Sequence, residues 1–66
     1  MGDSDIIDVL VTLHRQTADA FFVSLDGVEA KAVWVPKSEV EMEQQPGANI
    51  WLLTAPEWLA IDKRLV

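Results

Sequence analysis

Glu39, Glu41 and Glu43 stand on alternate residues, with Val40 and Met42 between them. In an extended strand, successive side chains point to opposite faces. This spacing therefore puts three carboxylates on one face and apolar side chains on the other, with the charges repeating at roughly 6.5–7 Å. Such a row breaks no bonds. It is a line of fixed negative charge that Lys and Arg of a partner can pair with. The plain reading is a solvated sheet face, or a charged edge that blocks aggregation. The functional reading is mimicry of a phosphate backbone. B-DNA carries one charge per ~3.4 Å of axis on each strand, so the match in density is crude. Asp26 and Glu29 flank an Asp-Gly dipeptide and extend the same field. Their plain roles are turn chemistry for Asp26 and a cross-strand pair for Glu29.

The other candidates carry less. His14 is the only histidine, and the chain has no cysteine. A general base needs a nucleophile beside it, and no serine is clearly placed there, so His14 reads as a structural residue at a strand end. Asp3-Ser4-Asp5 loosely resembles a calcium loop but lacks the glycine and the closing glutamate. Lys37-Ser38 lacks the preceding glycines of a phosphate-binding loop. Trp34, Trp51 and Trp58 each sit on an apolar strand or helix face, which predicts core packing over an aromatic platform for bases. Bases to bind nucleic acid around them are scarce. The residues thus point to a non-catalytic protein with no cofactor and no metal.

Size and charge narrow the classes. Sixty-six residues make a single domain, 1–66, and half of them are hydrophobic. The formal charge is −6. Residues 1–43 hold nine acids against three bases and so carry all of it, while residues 44–66 are neutral. A body of this sign repels nucleic acid and anionic membranes and speeds encounter with basic surfaces. The absence of cysteine fits an intracellular protein. Met1–Asp5 lacks the positive start and apolar run of a signal peptide, and no apolar segment nears the ~18 residues of a membrane span.

The elements that position these residues follow from pattern. Met1–Asp5 is polar and expected to be flexible. Ile6–His14 alternates as strand one, Arg15–Asp19 suits a hairpin connection, and Ala20–Leu25 is strand two. Asp26-Gly27 predicts a tight hairpin turn. Val28–Val35 is then strand three, with Val28, Ala30, Ala32 and Trp34 on one face and Glu29, Lys31, Val33 and Val35 on the other. Pro36 ends it or marks an edge. Glu39–Glu43 is strand four, Gln44–Asn49 a loop and Ile50–Leu53 strand five. Thr54 is the expected N-cap of a C-terminal helix, with Glu57 completing a capping box and Pro56 in the first turn. Trp58, Ile61 and Leu65 form its apolar stripe, joined by Leu59 and Val66, and Lys63 and Arg64 fall in its last turn. The fold class is α+β, a bent antiparallel sheet of four to five strands with one C-terminal α-helix packed on it.

Two segments add a resemblance. Trp34-Val35-Pro36-Lys37-Ser38-Glu39-Val40-Glu41 and Ala55-Pro56-Glu57-Trp58-Leu59-Ala60, with Lys63 and Leu65 near the end and Val11-Thr12-Leu13-His14 before, resemble a set of small phage and mobile-element proteins. These share a W-x-P-K-S strand end and a closing P-E-W-L-A helix. Size and acidity also resemble anti-CRISPR proteins. That resemblance implies a cytoplasmic inhibitor in a bacterial host, a monomer or weak dimer. Its DNA-mimicking face, Glu39, Glu41, Glu43, Asp26 and Glu29, would occupy the basic DNA-binding groove of a CRISPR effector complex. The acidic N-terminus, Asp3, Asp5 and Asp8, lies outside the shared pattern. The competing reading is a small structural or regulatory phage module whose acidity serves only solubility.

Overall fold

A computed structural model describes residues 5–65. Five strands, β1 (Ile6–Gln16), β2 (Ala20–Ser24), β3 (Val33–Pro36), β4 (Glu41–Gln44) and β5 (Ile50–Pro56), precede one helix, α1 (Glu57–Asp62). The sheet is antiparallel throughout, in the order β3-β2-β1-β5-β4, which is the expected α+β class.

β1 is the axis of the molecule. Its first half, Ile6 to Thr12, pairs with β5, and its second half, Thr12 to Gln16, pairs with β2. The two flanking ribbons are thus offset along one long strand. At ~3.3 Å per residue an eleven-residue strand spans roughly 36 Å, close to the molecule's 35 Å long axis. The ladder to β2 shifts register between Leu13 and Arg15, so His14 sits at a bulge.

Alternation selects the core. Val11 of β1, Val23 of β2, Val35 of β3, and Leu53 and Ala55 of β5 are buried together with Val40, Leu59, Ala60 and Leu65. Ile7, Val9, Leu13, Val33 and Met42 pack against them. The even-numbered positions of β1 and β5 form the opposite, open face.

β1 runs on past its expected end at His14 to Gln16, β2 ends at Ser24 and not Leu25, and β4 ends at Gln44 and not Glu43. Three further differences each have a local reason. Asp26-Gly27 does not make a tight hairpin, and β3 begins at Val33. Asp26 Oδ1 accepts the Val28 N–H at 3.0 Å and Ser24 Oγ accepts the Gly27 N–H at 3.0 Å, which ends the ladder. Gly27 takes φ +81°, and Glu29–Lys31, poor strand formers, coil into a 3-10 turn. The expected two-faced strand over Val28–Ala32 therefore does not exist, and Val33 and Val35 face the core. Second, Glu39 belongs to a 3-10 turn, Lys37–Glu39, so β4 starts at Glu41.

Third, Thr54 is not an N-cap. β5 runs on to Pro56, and the helix has no side-chain cap. Proline disfavours helical backbone in the residue before it, so Ala55 stays extended and continues the ladder opposite Ile7. Asp5, expected in a flexible segment, accepts the Glu57 N–H through its carbonyl at 3.0 Å. The remainder of that expectation, residues 1–4, and the expected place of Val66 lie outside the described residues.

The helix buries only part of the expected stripe. Leu59, Ala60 and Leu65 face the core, whereas Trp58 and Ile61 are 51% and 58% exposed. Only six residues are helical, and Lys63 is the C-cap. Arg64 follows at φ +59°. Its N–H donates to the Ile61 carbonyl at 3.1 Å and that of Leu65 donates to Ala60 at 2.7 Å, a Schellman closure sealed by Leu65. Glycine is the usual residue at that left-handed position; a side chain there costs roughly 1 kcal/mol.

Candidate interaction face

The open face of the sheet is built row by row from the ladders. Glu41 of β4 is opposite Thr54 of β5, which is opposite Asp8 of β1. Two residues along, Glu43, Leu52 and Leu10 form the next row on the same side. Strands lie about 4.8 Å apart, so Asp8 and Glu41 have Cα atoms roughly 10 Å apart across Thr54. Thr54 Oγ1 donates to Asp8 Oδ1 at 2.7 Å, which fixes that carboxylate in the row. These rows contain no Lys or Arg. Ile6 and Leu10 are exposed on either side of Asp8, so the strip is charged along β4 and mixed along β1.

Glu39 joins this group from its turn. With Glu41, Ile6 and Thr54 it lines a cleft of about 320 Å³. The exposure alternation of the acidic run holds although its first residue is outside the strand: Glu39, Glu41 and Glu43 are exposed, Val40 is buried and Met42 half-buried. Asp26 and Glu29 are placed elsewhere, in the β2–β3 connection, whereas β4 is the opposite edge of the sheet. Both have basic partners. Arg15 Nε donates to Glu29 Oε2 at 2.9 Å, and Lys31 Nζ is 3.8 Å from Asp26 Oδ2. The five acids expected on one face thus divide into a cluster of three and a paired couple. Asp8 takes a place in the cluster that sequence reasoning left to the N-terminal tail. The signal was its even position in β1, which alternation assigns to the face shared with Leu10.

The other half of the open face is aromatic. Phe22 of β2 pairs with Trp34 of β3, and their rings stack at 4.7 Å and 29°. His14 meets Phe22 edge-on at 6.3 Å. Of the three tryptophans expected in the core, only Trp51 packs against it. Trp34 and Trp58 are exposed, and Trp51 is half-buried. Trp34 alternates with the core-facing Val33 and Val35 and so points to the open face, and Trp58 is on the outer side of the helix.

His14 does have a serine beside it, contrary to expectation. Its Nε2 is 2.8 Å from Ser24 Oγ. The contact depends on the β1–β2 register and the bulge at His14, which sequence spacing does not reveal. Ser24 is 1% exposed, and its Oγ already accepts the Gly27 N–H, so the pair braces the turn. Lys37 is also engaged: Nζ donates to Gln16 Oε1 at 3.0 Å and lies 4.9 Å from the Phe21 ring centroid. Among the described residues no three His, Asp or Glu side chains converge as a metal site, and no helix is long and apolar enough to cross a membrane.

Searches for similar proteins found no matching family model, curated protein or solved structure.

Proposed function

We propose that the protein is a non-catalytic interaction protein that lays the Glu39, Glu41, Glu43 and Asp8 strip on a basic groove of a nucleic-acid-processing partner. The observation that carries this reading is the pair of rows Glu41–Thr54–Asp8 and Glu43–Leu52–Leu10, acidic and apolar with no base among them. A groove lined by Lys and Arg gains charge pairing from the acids and apolar contact from Leu10 and Ile6. The strip works by occupancy. Asp26 and Glu29, within ion-pair distance of Lys31 and Arg15, serve the β2–β3 connection and are secondary in this reading. The resemblance to phage and anti-CRISPR proteins makes the DNA-binding groove of a CRISPR effector complex the first partner to try, in the cytoplasm of a bacterial host.

The test is target-DNA binding by purified type I and type II effector complexes, with and without the protein, at low and moderate salt. Loss of DNA binding that recovers as salt rises supports the acidic strip. The Glu41→Lys, Glu43→Lys double variant, altered only at exposed positions, should fold and lose the inhibition. Inhibition that survives this reversal sinks the mechanism. No inhibition of any effector leaves the acids as a charged guard on edge strand β4.

A further inference from the structure

We propose that a second cleft, at the end of the sheet away from the acidic strip, binds a small organic anion with a compact apolar body. The cleft has a volume of about 270 Å³. Lys31, Lys63 and Arg64 line it, three of the five basic residues in the chain. Asp26, 3.8 Å from Lys31, is the one acid lining it, so Lys63 and Arg64 leave the cleft locally cationic in a protein of net charge −6. Leu25, Val33 and Leu65 supply apolar wall. Cations over apolar walls match a carboxylate or phosphate head carried on a ring or branched chain. Arg64 offers a planar fork for two oxygens of that head, and Lys63 adds a point charge.

The backbone gives an independent pointer. Arg64 occupies the left-handed position of the helix closure, where glycine is the default residue. A side chain held there against conformational preference, at the lip of a cationic cleft, is spent on the guanidinium. The same fact supplies a clean variant, because Arg64→Gly removes the charge while relaxing the backbone.

The experiment is a backbone-amide NMR titration of the full chain with phenyl phosphate, benzoate, inorganic phosphate and benzyl alcohol. Saturable shifts confined to Leu25, Lys31, Val33 and Lys63–Leu65 with phenyl phosphate or benzoate support the site, and the stronger of the two identifies the head group. Equal affinity for inorganic phosphate, or for benzyl alcohol, overturns it, because only charge or only apolar surface is then read. Arg64→Gly should raise the melting temperature and weaken the anion about tenfold, the loss of one charge-assisted contact. Arg15→Gln, outside the cleft, should leave the shifts unchanged. A more stable Arg64→Gly protein that binds the anion as tightly as before overturns the proposal.

Discussion

Thr54 Oγ1 donates a hydrogen bond to Asp8 Oδ1 at 2.7 Å, joining two residues 46 positions apart in the chain. The same hydroxyl reads in sequence as a helix cap. The two roles predict different losses. Thr54→Val keeps the β-branched shape and removes only the donor. As a sheet contact at an exposed site, it should cost about 0.5–1 kcal/mol in a urea melt, with unchanged helical circular dichroism. Asp8→Asn should cost a similar amount, and the double variant should cost less than the two losses added. Loss of helical signal in Thr54→Val, with Asp8→Asn neutral, would restore the capping role.

Leu53 and Ile61 are both large aliphatic residues in the C-terminal third, and their burial sets them apart. Leu53 is 0% exposed between Val9 and Met42, whereas Ile61 is 58% exposed. Leu53→Ala should cost about 2–5 kcal/mol by the lost transfer energy and the cavity left behind. That is most of the stability of a domain this small. Ile61→Ala should stay within about 0.5 kcal/mol. Equal midpoints for the two variants in denaturant would show that the helix buries the Trp58–Ile61 stripe instead.

The same contrast shows what sequence could and could not reveal. Period-two runs such as Val9, Val11 and Leu13 were legible, because alternation is a local property of a half-buried strand. So were the α+β class and the exposed acids at Glu39, Glu41 and Glu43. The helix face was legible only in part, since Leu59 and Leu65 are buried as expected and Trp58 and Ile61 are not. Trp58 and Ile61 are as apolar as Leu59, and only the length of β5, set by pairing with β1, fixes where the helix starts and which side faces in. The strand order likewise decided the site. It carried Asp8 to the acidic strip and left Asp26 and Glu29 at the far edge beside Lys31 and Arg15. Charges adjacent in composition are not adjacent in space until the register is known.

Trp51 Nε1 is buried without a hydrogen-bond partner among the described residues. Burying an unmet donor costs free energy, and that cost offsets part of what the ring gains by packing. Trp51→Phe discards the donor and keeps an aromatic ring against Val11. The lost volume and the relieved donor act in opposite directions, so the midpoint of thermal unfolding should move by less than the equivalent of about 1 kcal/mol. Trp51→Ala, which loses the packing as well, should cost about 3 kcal/mol or more. A large loss in Trp51→Phe would mean that the indole N–H is satisfied in solution, by water or by a shift of the chain.

Ser24 and His14 make the contact a hydrolytic dyad would need, 2.8 Å between Oγ and Nε2. Two features argue for a brace. A nucleophile must reach its substrate, and Ser24 is 1% exposed. Its oxygen also holds the Gly27 N–H at the turn where the glycine takes φ +81°. Ser24→Ala leaves that N–H and the imidazole without their partner and should cost about 1–2 kcal/mol in unfolding free energy. A fluorophosphonate reagent that traps activated serines should leave the intact protein's mass unchanged. Covalent labelling that disappears in both Ser24→Ala and His14→Ala would make the pair catalytic and overturn the non-catalytic reading of this fold.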